Sequence, residues 1–145
     1  MNKRIDALPS ADAITGVEIV PIMQSGITKQ TTISDLRPYK VYTALLTQSG
    51  TDAPTAIVLE NTIGEISFTY ENPGFYVCIS DNLFILEKTW GIADAVNDSA
   101  NGVYNPVLID RSIGADDMIY IKVIGGDNNG DGLLNYTPIE IRVYN

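Results

Sequence analysis

Histidine is absent from this 145-residue sequence, and Cys78 is its one cysteine. Without imidazole there is no Ser-His-Asp or Cys-His catalysis, no imidazole proton transfer and almost no route to a catalytic zinc site. A single thiol excludes an intrachain disulfide framework and thiolate metal clusters. Basic charge is scarce, with nine Lys and Arg against eighteen Asp and Glu and a net charge of −9. Apart from Lys3-Arg4 the cations are scattered singly, so no surface for neutralising phosphates is expected, and nucleic acid is excluded as a partner. No apolar run approaches the ~20 residues needed to cross a bilayer. The first thirty residues are broken by Asp6, Pro9, Asp12, Glu18 and Pro21, which leaves no apolar stretch for a signal peptide. The expectation is a soluble protein made in a cell interior, with no membrane partner. Apolar residues are 45% and charged residues only 19%, which excludes a wholly disordered or coiled-coil chain. A chain of this length fits one ordinary domain, or one domain plus a short arm.

The character of the sequence changes near residue 38. Residues 1–38 hold small modules with little core potential. Gln24-Ser25-Gly26 is a turn signal between two β-prone runs, Ile19–Met23 and Ile27–Ile33. Thr32-Ile33-Ser34-Asp35-Leu36 offers a Ser or Asp N-cap, and Pro38 stops any helix within about one turn. The reading is strand, turn, strand and a short helical turn, an arm with too few apolar residues to close a core alone.

From Tyr39 onward the period is two. Ile66, Phe68 and Tyr70 alternate with Glu65, Ser67 and Thr69, and Phe75, Val77 and Ile79 with Tyr76, Cys78 and Ser80. Ile119, Ile121 and Val123 alternate with Met118, Tyr120 and Lys122, and Ile139, Ile141 and Val143 with Glu140, Arg142 and Tyr144. Such alternation marks half-buried strands with one face on a core. Turn chemistry separates them at Ser49–Asp52, Asn61–Gly64, Glu71–Gly74, Ser80–Asn82 and Gly125–Gly132. Strands are expected near 40–48, 55–60, 64–70, 74–80, 82–87, 105–111, 118–125 and 136–144, with a weak helix candidate at Gly91–Ser99. The fold class is all-β: an antiparallel β-sandwich or jelly-roll-like domain over 39–145, preceded by a short extended or β-hairpin arm over 1–38.

Candidate sites are few, and each has a structural competitor. Asp127, Asn129 and Asp131 present oxygens at alternate positions before Gly132, like the start of a calcium loop. The pattern then fails, because the twelfth loop position is Pro138 where a bidentate Glu is needed. The competing reading is a glycine-rich hairpin loop between the last two strands. Asp116 and Asp117 are adjacent on an expected strand, point to opposite faces and cannot flank one bond. Glu60, Glu65, Glu71 and Glu87 lie on different strands, with no spacing that pairs two of them. Cys78 sits mid-strand among Tyr76, Val77 and Ile79, where a small buried hydrophobe is expected. Trp90, with Tyr70, Tyr76, Tyr104, Tyr120 and Tyr136, could supply a stacking platform for sugars, against a core or subunit-contact role. No residues stand out for catalysis, and no cofactor other than Ca2+ at the incomplete loop is suggested.

Two sets of strings add a resemblance. Arg4–Pro9, Ile14–Ile22, Gly26–Lys29 and Thr32–Leu36 resemble the N-terminal attachment segment of tailed-phage fibre and head-decoration proteins. Tyr42–Thr51 with Ala53-Pro54-Thr55, Val58–Gly64 and the ending Pro138–Tyr144 look like a module of virion proteins from phages of Bacteroidetes, the crAss-like group among them. Residues 88–117 are least covered. The resemblance implies a virion structural protein made in the host cytoplasm. Its expected form is a short homotrimeric head (capsid) fibre that touches capsid or other virion proteins through its arm, with Ile5, Leu8, Pro9, Ile14, Val20, Pro21, Ile22 and Leu36 as contact residues. It allows a tail fibre or a neck adaptor as alternatives. Host surface glycan is a further expected partner through Trp90, and a carbohydrate-binding module without catalysis is the alternative from another class.

Overall fold

The computed structural model describes residues 12–98, 102–111, 117–124 and 131–145. The chain divides into two compact units, Met1–Pro38 and Tyr39–Asn145.

In the first unit, β1 (Ile19–Gln24) and β2 (Ile27–Thr32) form an antiparallel hairpin whose register runs from Gln24 opposite Ile27 to Ile19 opposite Thr32. Ser25 and Gly26 both have positive φ, at 54° and 76°. That is the two-residue loop whose twist matches a right-handed ribbon. A single 3-10 turn follows over Ser34–Leu36. It is held by a reciprocal pair: the Thr32 hydroxyl donates to Asp35 Oδ2 at 2.7 Å, and the Asp35 amide donates back to Thr32 Oγ1 at 3.2 Å. The expected Ser or Asp cap is absent: Ile33 precedes the turn without a side-chain cap bond, and the Thr32–Asp35 pair brackets it instead. Arg37 is extended (ψ 139°) ahead of Pro38, as a residue before proline must be.

The second unit contains β3 (Tyr39–Thr47), β4 (Thr55–Asn61), β5 (Ser67–Asn72), β6 (Phe75–Ile79), β7 (Thr89–Ala93), β8 (Val96–Asp98), β9 (Val103–Asn105), β10 (Val107–Asp110), β11 (Met118–Val123) and β12 (Thr137–Tyr144). They make two four-stranded antiparallel sheets, ordered β4-β3-β12-β7 and β10-β11-β6-β5, and a small β8-β9 ribbon. The period-two pattern of β11 and β12 becomes the core directly, while in β6 the face that enters the core is Tyr76 and Cys78 rather than the expected Phe75, Val77 and Ile79. Tyr42, Ala44 and Leu46 of β3 and Ile139 and Ile141 of β12 turn inward from one sheet. Tyr76 and Cys78 of β6 and Ile119 and Ile121 of β11 turn inward from the other. Burying each large aliphatic side chain contributes about 1.5–3 kcal/mol. Tyr42 meets Phe68 of the opposite sheet, ring centroids 6.3 Å apart. The all-β sandwich follows from this packing.

Three further local expectations are corrected. Residues 82–87 form no strand. Asn82 has φ 53°, the Leu83 amide donates to Ser80 Oγ at 3.3 Å, and the Lys88 and Thr89 amides both turn back to the Ile85 carbonyl. Phe84, 3% exposed, plugs the core from a loop instead. The described residues of the helix candidate at 91–99 fall in β7 and β8 and the link between them, with Ser99 outside the described residues. The inward residues of β7 are small (Thr89, Gly91, Ala93) and its large ones, Trp90 and Ile92, face out, so the strand's alternation is inverted and read as helical spacing. A Cβ at Gly91 would lie 2.5 Å from Ile109 Cγ2, so glycine lets β7 close on β10. Finally, the expected hairpin between the last two strands is absent: β11 pairs with β10 and β6, whereas β12 pairs with β3 and β7. The last two strands therefore belong to different sheets.

Candidate functional site

Among residues 12–38 none is buried. Ile14, Val17, Ile19, Met23, Ile27 and Leu36 are each more than half exposed. Of the expected contact residues, Ile14, Pro21 and Leu36 are exposed and Val20 and Ile22 half-buried, whereas Ile5, Leu8 and Pro9 lie outside the described residues. Alternation places Ile19, Pro21 and Met23 on one face of the ribbon and Val20 and Ile22 on the other. The turn ahead of β1 is organised by Glu18. Its carboxylate accepts from the Thr15 amide and hydroxyl (2.8 Å each) and the Gly16 amide (2.7 Å). These bonds, the Thr15 amide first, hold the Glu18 carboxyl down at about 2.

The incomplete calcium loop is only partly within view, since Asp127 and Asn129 lie outside the described residues. Asp131 already has protein partners. Its Oδ2 accepts from the Tyr70 hydroxyl (3.2 Å) and its Oδ1 from the Gly74 amide (3.3 Å). Next to it, the Gly132 amide and the Tyr76 hydroxyl both donate to Oε1 of Gln48, and Gln48 Nε2 donates to the Gly50 and Asp52 carbonyls. Gln48 is 4% exposed and uses both ends of its amide. This polar clasp joins the β3–β4 loop, the β5–β6 turn and the approach to β12. It gives Asp131 a structural task. Burial, with the Asp131 charge adding to it, pushes the Tyr76 phenol far above its usual range. Gln48 was not legible as a site residue, because nothing in sequence distinguishes a clasp at a strand end from a solvated amide.

Trp90 stands on the outer face of β7, 40% exposed. Its neighbours differ from the tyrosines that sequence grouped with it. The Arg142 guanidinium lies 5.1 Å from the Trp90 ring and 4.7 Å from the Tyr39 ring, and Tyr39 packs on Tyr144 at 5.3 Å. Arg142 also pairs with Glu140 on the same strand. The cross-strand register, Arg142 opposite Trp90 and Tyr144 opposite Tyr39, assembles this cluster. Tyr70 and Tyr76 belong to the clasp, and Tyr120 lies with Phe75 and Lys122 on the other sheet. A cation thus already covers one face of the indole, worth about 0.5–1 kcal/mol at an exposed site. Beside it, Thr43, Ile92, Pro138 and Glu140 line a shallow depression of about 230 Å3.

The remaining candidates have no chemical setting. Cys78 is fully buried, and burial pushes its thiol far up, away from the thiolate. The Asp117 carbonyl accepts from the Ser80 amide at 2.7 Å, while Asp116 lies outside the described residues. Among the described residues no three Asp, Glu or Cys side chains gather as metal ligands. Comparison with protein-family models, with curated proteins and with solved structures finds no match.

Proposed function

We propose that the chain is a structural component of a bacteriophage virion, a short homotrimeric head fibre in which the arm attaches and the sandwich projects. The observation that carries this reading is the arm, a folded ribbon with six large apolar side chains more than half exposed and no buried residue among 12–38. An isolated two-stranded hairpin is marginal in water, so such a ribbon is suited to gaining its core from a partner. The phage assignment rests on the sequence strings of the arm and of the β-module, and a tail fibre or neck adaptor would use the same arm. Trp90 and Tyr144, both 40% exposed, are the surface with which a projecting domain would touch host glycan.

The test is quantitative mass spectrometry of purified particles made with the full chain and with the chain lacking residues 1–38. The chain is expected in wild-type particles, and its copy number should fall to background without the arm. Particles without the full chain, or equal incorporation of the shortened one, would reject the proposal.

A further inference from the structure

The hairpin has two long edges, and only one of them can accept another strand. The Ile33 amide donates to the Glu18 carbonyl at 3.1 Å, which continues the β1–β2 register by one pair. Hydrogen-bonded pairs alternate along an antiparallel ladder. The inward-bonding pairs are therefore Glu18/Ile33, Val20/Thr31, Ile22/Lys29 and Gln24/Ile27. The backbone groups of Ile19, Pro21 and Met23 point away from the hairpin on the β1 side, and those of Thr28, Gln30 and Thr32 on the β2 side. Pro21 has no amide hydrogen and stands at the middle of the β1 edge, where its ring blocks an incoming strand. The β2 edge carries no such block. The Thr32 amide leans on Asp35 Oδ2 at 3.4 Å, and the Thr28 and Gln30 amides have no partner among the described residues. Thr28, Lys29 and Gln30, with Ile19 and Pro21, line an open concavity of about 680 Å3.

We propose that the arm docks by strand addition along the outer edge of β2, and that the occupant is an edge strand of another virion protein with an acidic side chain beside Lys29. Lys29 is the one charge on β2, in a chain of net −9, and its ammonium donates to Gln24 Oε1 of β1 at 2.9 Å, a neutral partner that leaves its charge uncompensated. A second copy fits less well. Two β2 strands paired about Gln30 would set their Lys29 side chains as diagonal neighbours, about 7–8 Å apart on one face, and like charges there repel. An acid on a foreign strand turns the same position into an attraction. Pro21 then has a purpose: it limits the arm to one partner and prevents ribbons from adding to each other without end.

The inference rests on the virion reading and is tested on the full chain in the same particles. Gln30→Pro removes the central outward amide opposite Pro21, and Lys29→Glu reverses the edge charge without touching the backbone. Each should reduce copies per particle by about tenfold, the factor that about 1.4 kcal/mol gives. Pro21→Val should incorporate normally. Amide exchange at Ile22 and Lys29 in the free variants reports whether the hairpin persists, and Lys29→Glu carries the test if Gln30→Pro loses it. Wild-type copy number for both variants would overturn the docking edge while leaving the virion reading intact. Particles devoid of the wild-type chain would overturn both. A drop in the solution mass of free Gln30→Pro chain relative to wild type would show that copies, not a foreign strand, occupy the edge.

Discussion

At the scale of single residues, the most heavily engaged carboxylate among the described residues of the arm is Glu18, with three donors converging on it from Thr15 and Gly16. Its pKa in the folded chain is about 2 against an ordinary 4.5. A carboxyl whose folded value is lowered binds its proton more readily when unfolded, so it stabilises the fold at pH above the unfolded value. That contribution is complete above about 4.5 and disappears as pH falls towards 2. The Thr15–Glu18 turn should therefore stay closed at pH 4 and open as pH approaches 2. Side-chain carbon shifts of Glu18 and the amide shift of Thr15, followed by NMR across this range, should report a shared midpoint near 2. A Glu18 midpoint at an ordinary carboxylate value would show that the turn is not held in solution. Sequence offered only the composition of this turn. Thr, Gly and Glu are common in loops, and their convergence depends on Gly16 taking φ 95°, a conformation that leaves no periodic trace.

Among the elements, legibility followed the size of the inward side chains. Strands β11 and β12 turn Ile119, Ile121, Ile139 and Ile141 into the core, and their alternation was readable from sequence alone, whereas β6 has Phe75, Val77 and Ile79 in alternation yet sends Tyr76 and Cys78 into the core. Strand β7 reverses the rule, with Thr89, Gly91 and Ala93 inside and Trp90 and Ile92 outside, so that hydropathy points the wrong way. Close approach to β10 is the cause, because Ile109 occupies the space a side chain at 91 would need. Gly91→Val should overpack this contact and lower stability by about 1–3 kcal/mol, read as an earlier urea midpoint of the full chain. Ile92→Ser on the outer face of the same strand should change it by less than about 1 kcal/mol. Equal effects of the two substitutions would mean that β7 does not pack as described. The segment 82–87 failed for a related reason: Phe84 and Leu83 carry strand-like hydropathy, but turns anchored at Ser80 and Ile85 decide their backbone.

For the whole molecule, sequence showed the change of character at residue 38 and the all-β class, because both are written in hydrophobic patterning. It did not show which strands share a sheet. The two final strands look like a hairpin in one dimension, yet they belong to opposite sheets, and the choice is made by cross-strand burial that only the closed core reveals. The candidate sites fared likewise: Trp90 was visible as a lone indole, but its partners Tyr39, Arg142 and Tyr144 come from strands about 50 residues apart in sequence. Assembly can be separated into contributions of the two units by mass. In the trimer reading, the sandwich builds the fibre and the arm remains available to the particle. Light scattering on a sizing column should then return three chain masses for the full protein, and three for residues 39–145 alone. A full-length trimer that falls to monomers on truncation would move the assembly determinant into the arm, and strand addition by β2 would then compete with trimer formation for the same segment. Monomers in both cases would remove the fibre and leave the arm as a tether for a single projecting sandwich, in which case the exposed apolar residues of β4, Ile57, Val58 and Leu59, would stay open to solvent without a neighbour.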